Sequence, residues 1–158
     1  MKLFLGCLSF FLLELLLITK SMAMIATLSL EQLIQSSDLI VIAKVIEKNS
    51  SKHEVKNILY VEEVLKGTWD KSKILVIYTG PTDFEDVPKF PEECQKALLF
   101  LKRLPSGEPQ INNMLQGLMN LDNQNRLYGF GFGHNIKEIK NLIKKLANQQ
   151  QKSHNCFK

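Results

Sequence analysis

The pattern of apolar and polar positions divides the chain into an apolar leader, a strand-rich middle and one amphipathic helix. Residues 3–18 form a nearly unbroken apolar run. Further on, Ser29-Leu30-Glu31-Gln32 has the spacing of a capping box, and Leu30, Leu33 and Ile34 recur at helical intervals. This predicts a short helix ending near Ser36, broken by Ser37-Asp38. Residues 39–46 are rich in β-branched side chains with almost no polar alternation, which predicts a strand buried on both faces. Residues 58–65, 73–78 and 97–101 predict three more strands, and residues 111–121 and 126–132 are weaker candidates. Between the third and fourth, residues 80–93 form a proline-containing acidic loop that is too polar for core. Asn135 then caps a helix whose apolar stripe is Ile136, Ile139, Leu142, Ile143 and Leu146, running to about Asn148.

Short strands with turn signals and helices near the ends argue for a closed or sandwiched antiparallel sheet. The expected fold is mainly β: an OB-like five-stranded antiparallel barrel with a short N-terminal helix and a C-terminal amphipathic helix. One domain over residues 24–148 and a flexible polar tail over residues 149–158 complete the expected organisation.

The leader predicts an export signal. Met1-Lys2 is a positive start, Glu14 is the one charge in the apolar run, and Ser21 and Ala23 are small residues at signal-peptidase spacing. Cleavage after Ala23 is the expected outcome, with Ala26 as the alternative site. A retained anchor is the competing reading, but a spanning helix needs about 20 apolar residues. Cys7 precedes most of the apolar run, whereas a lipidated cysteine would end it. The protein is expected in the periplasm or outside the cell, touching membrane only through this segment before cleavage.

Charge adds little. The full chain carries a net +4, and the leader removes Lys2, Lys20 and Glu14 from that balance. A mild, dispersed positive charge does not argue for nucleic acid. Cys94 and Cys156 are the cysteines left after cleavage. They either pair, stabilising by about 4 kcal/mol in the chain-entropy model, or remain two separate thiols.

Candidate chemistry is sparse. His53, His134 and His154 lie in a turn, at a helix start and in the tail, without metal-ligand spacing. The run Gly129-Phe130-Gly131-Phe132-Gly133 lacks the dinucleotide fingerprint and reads as a glycine-kinked strand entering a helix. Asp83, Glu85, Asp86, Glu92 and Glu93 could offer oxygens to calcium but lack EF-hand spacing. The lysines of the last helix read as a solvated face. Asn49-Ser50-Ser51 is formally a glycosylation sequon in a eukaryotic host. No G-x-S-x-G marks a nucleophile. Neither catalytic residues nor a cofactor is expected.

Three segments in order carry a resemblance: Ser29-Leu30-Glu31-Gln32-Leu33 running into Ser37-Asp38-Leu39-Ile40-Val41-Ile42-Ala43-Lys44-Val45, then Val61-Glu62-Glu63-Val64-Leu65-Lys66-Gly67, then Leu98-Leu99-Phe100-Leu101. Over roughly residues 29–104 the chain resembles small exported bacterial domains of mostly unknown function, similar in turn to the OB-like netrin and metalloproteinase-inhibitor (TIMP-like) barrel. The resemblance implies a fold more than a function. In that inhibitor family a mature N-terminal cysteine chelates the target's zinc, and here no cysteine follows the leader before Cys94. Neither Met24 nor Thr27 can replace it. The expected function is therefore a non-enzymatic binding module for an extracytoplasmic protein, peptide or glycan. Its expected contact region is the acidic loop, at Asp83, Phe84, Glu85 and Asp86. A peptidase inhibitor acting through a loop and a small hydrolase are the alternatives.

Overall fold

The computed structural model describes residues 27–51, 53–79, 87–128 and 133–155. The first helix, α1 (Leu30–Ser36), begins where the capping box places it. Ser29 Oγ accepts from the Gln32 amide at 3.2 Å, and Gln32 Oε1 accepts from the Ser29 amide at 2.9 Å. Two orphan N–H groups are thus satisfied reciprocally. Leu33 and Ile34 are buried, and the chain leaves the helix at Ser37 in an extended conformation.

The strands that follow are β1 (Leu39–Ser50), β2 (Glu54–Lys66), β3 (Lys73–Thr79), β4 (Lys96–Arg103) and β5 (Pro109–Ile111). A 3₁₀ turn (Met114–Gly117) leads to β6 (Leu118–Leu121) and β7 (Leu127–Tyr128), and α2 (Ile136–Asn155) closes the order. All seven strands belong to one sheet, in the order β3-β2-β1-β4-β6-β7, with β5 pairing to β4 beside β6. Every pairing is antiparallel.

The β1 segment is buried on both faces, as its unbroken apolar run predicts. Ile40 and Ile42 pair with Phe100 and Leu98 and pack under α1 and α2, together with Ile139, Ile143 and Leu146. Leu39, Val41, Ala43 and Val45 face the other way, onto Leu59, Ile74, Val76, Leu99 and Leu101. A fully buried side chain of this size contributes about 1.5–3 kcal/mol, so β1 ties two cores into one domain.

Four expectations need correction. The sheet is open, and a closed five-stranded barrel is not formed. β3 lies alongside β5 without a ladder between them. β5 is only three residues long and starts at Pro109, which has no N–H to donate. The strand expected over residues 111–121 is interrupted because Asn113 and Met114 adopt positive φ values of 56° and 48°. The acidic loop is not wholly excluded from core either. Val87 and Phe90 are 6% and 8% exposed, and Phe90 joins the cluster of Leu59, Ile74 and Val76. Among the described residues of this loop, Lys89, Glu92 and Glu93 are exposed. Finally, α2 does not end near Asn148 but continues to Asn155.

The start of α2 follows its sequence. Asn135 Oδ1 accepts from the Glu138 amide at 3.0 Å, and Asn135 Nδ2 donates to Glu138 Oε1 at 2.8 Å. Lys140 reaches Glu63 at 2.6 Å and ties the helix to β2. No helix among the described residues is long and apolar enough to cross a membrane.

Candidate binding groove

Two sequence motifs that lie far apart in the chain meet at one point. Lys66 ends β2, and its ammonium donates to the carbonyls of Ile34 at 2.7 Å, Gln35 at 3.1 Å and Ser37 at 2.6 Å. These are the orphan carbonyls at and just beyond the end of α1. Burial draws the Lys66 pKa below 10.5, while the nearby Asp38 carboxylate pulls it upward less strongly. Gly67 follows with φ +79°, and a Cβ there would overlap the Asp38 carbonyl oxygen. Asp38 in turn accepts the Arg103 amide on Oδ2 at 2.9 Å and donates its own amide to Leu101 O at 2.8 Å. The Ser37-Asp38 and Lys66-Gly67 pairs are therefore one structural knot, and the knot fixes the backbone of Arg103.

The connection from β2 to β3 starts from this knot and carries Trp69. Its indole N–H donates to Lys73 O at 3.2 Å. The Arg103 guanidinium and the Lys71 ammonium each lie 5.8 Å from the ring centroid. Such contacts contribute about 0.5–1 kcal/mol each at exposed sites. Arg103 Nη2 also donates to Thr68 O.

Two hollows meet at Trp69, Lys71 and Gly107, which line both. The first holds about 660 Å³ and is bounded by Val64, Thr68, Asp70 and Arg103. The second holds about 690 Å³ and runs along the seam between β3 and the β4–β5 turn, past Ile58, Leu75, Ile77 and Leu104. Leu75 is 46% exposed and Leu104 38%. Glu54, at the far end, is tied to Lys56 at 2.8 Å. Lys71, Lys73 and Arg103 form no ion pair among the described residues. The result is a shallow groove with an apolar floor and three cations not held by carboxylates among the described residues.

Asp83, Phe84, Glu85 and Asp86 are outside the described residues, as is Cys156. Cys94 is exposed in a turn at φ 69°, with its amide donating to Val45 O at 2.9 Å. Glu92 pairs with Lys48 at 3.2 Å. His53 is exposed in the β1–β2 turn, and His134 lies 3.7 Å from Glu138. Among the described residues no group of three or more His, Cys, Asp or Glu side chains could hold a metal ion.

A third hollow of about 520 Å³ is lined by Asp122, Arg126 and His134, among others. The Asp122 carboxylate is engaged there by the Arg126 and Gln124 amides, both at 2.8 Å, and by Arg126 Nε at 2.7 Å. The Arg126 amide is the main cause holding its pKa below 3.8. Its bonds serve the turn between β6 and β7.

The groove was missed from sequence because its parts come from separate turns. The one available signal was a lone tryptophan among charged residues in a connection. No protein-family model and no curated protein sequence matches the chain.

Proposed function

We propose that the chain is an exported, non-catalytic binding module of OB-like build, and that its ligand occupies the groove at Trp69. The single observation that carries this reading is the groove itself. Exposed leucines lie beside cations that form no ion pair among the described residues, on a rim held by the Ser37-Asp38 and Lys66-Gly67 knot. Exposed apolar surface bordered by polar groups is the usual mark of an interaction site. The OB-like reading takes β1, β2, β3, β5 and β4 as a barrel left unzipped along the β3–β5 seam, in line with the netrin-like and TIMP-like resemblance. The apolar leader supports export. The contact region is thereby moved from the acidic loop to the β2–β3 and β4–β5 turns.

The test compares the full chain with a Leu75→Asp, Leu104→Asp double variant. Both are incubated with the proteins and glycans of the cell envelope and medium, and amide hydrogen exchange is read. Slowed exchange at residues 68–71 and 104–110 in the parent alone supports the reading. Equal protection in both chains, or none in either, overturns it.

A further inference from the structure

We propose that the groove takes an acidic peptide segment, with a carboxylate at Arg103 and Lys71 and aliphatic side chains over Leu75 and Leu104. The inference rests on the groove being the binding surface. Arg103 has five N–H donors in a planar fork. One nitrogen is held by Thr68 O, and the residue's backbone amide is held by Asp38. The fork is therefore positioned, yet it meets no carboxylate among the described residues. A guanidinium in that state matches a carboxylate in bidentate geometry. Lys71 brings a second cation to the same hollow, and among the described residues Asp70 is the one carboxylate lining it.

The apolar half decides between a peptide and a sugar chain. Ile58, Leu75, Ile77 and Leu104 line the second hollow and suit aliphatic side chains better than hydroxylated rings. Sugar recognition also wants an open aromatic face. Trp69 packs partly against the core, and both cations sit over its ring. Among the described residues no other aromatic side chain lines either hollow.

Trp69 is the sole tryptophan, so its fluorescence reports on the groove directly. The full chain is titrated with acetyl-Leu-Val-Glu-Val-Leu-amide, with its Gln and Lys counterparts, and with an oligogalacturonate. The expected result is saturable binding of the Glu peptide. The Gln and Lys peptides are expected to bind at least about tenfold more weakly. Lys71→Gln and Arg103→Gln should each weaken the Glu peptide by about tenfold, while Lys137→Gln on α2 leaves it unchanged. Lys71 is the safer variant, because among the described residues its ammonium meets the Trp69 ring and forms no ion pair. Equal binding of the Glu and Gln peptides, both lost in Leu104→Asp, would remove the acidic ligand but keep the groove as a binding surface. Tighter binding of the oligogalacturonate would overturn the peptide. No response to the Glu peptide up to about 1 mM would overturn the proposal outright.

Discussion

The Lys66 ammonium lies 2.6 Å from the carbonyl oxygen of Ser37 and closes the C-terminal end of α1. It substitutes for the missing next turn of helix, because three carbonyls share one donor group. Lys66→Met keeps the aliphatic stem and removes the donors. It is expected to destabilise the domain by about 1–3 kcal/mol, read from urea unfolding. A loss within about 0.5 kcal/mol would show that water satisfies these carbonyls equally well.

Gly67 supplies the second half of the same knot. Its φ of +79° and the Asp38 carbonyl beside it leave no space for a Cβ. Gly67→Ala should therefore cost more than the ~1 kcal/mol usual for a glycine held at positive φ. It should also loosen Arg103, visible as a changed Trp69 emission. An unchanged melting curve would contradict this account of the turn.

Among the described residues, Asn57 is the one buried side chain with both polar atoms unmatched. It is 1% exposed, and neither its amide nitrogen nor its oxygen has a partner. Its neighbours across the ladder are Lys48 and Val76. An unsatisfied buried polar group costs about 1–3 kcal/mol, so Asn57→Val should raise thermal stability. A lower melting temperature would mean that Asn57 is hydrogen-bonded in solution, with an enclosed water as the simplest partner.

Asp122 gives a pH signature with a definite sign. Its folded pKa is below 3.8, chiefly because its carboxylate accepts the Arg126 amide. Its contribution is present above the unfolded value and is lost as pH falls through the folded one. An NMR titration should place its midpoint below 3.8. Asp122→Asn should remove that component and leave the turn more mobile. A midpoint at or above the ordinary value would show that the turn does not hold the charged form.

Local patterns were legible and distant meetings were not. The capping box at Ser29, the doubly buried β1 and the stripe of α2 all follow from neighbours within a few residues. The open seam depends on how little of β5 can pair, which Pro109 and the positive φ at Asn113 decide. Phe90 escaped notice because prolines and acidic residues surround it in the sequence, although its side chain joins the core. The groove was hardest to see. Thr68 and Arg103 are 35 residues apart, and their turns meet through the Arg103–Thr68 bond and through the contacts of Asp38 with Gly67 and with the Arg103 amide. The motifs Ser37-Asp38 and Lys66-Gly67 were visible as separate strand boundaries. Their contact is what joins them to the candidate site.

The most direct test of the central claim is site-specific photo-crosslinking in the host cell. A photoreactive phenylalanine is placed at Leu104, on the groove rim, or at Glu85, in the acidic loop. The account expects adducts from position 104 that disappear in Lys71→Gln, and none from position 85. Adducts from position 85 alone would contradict it and return the contact region to the loop.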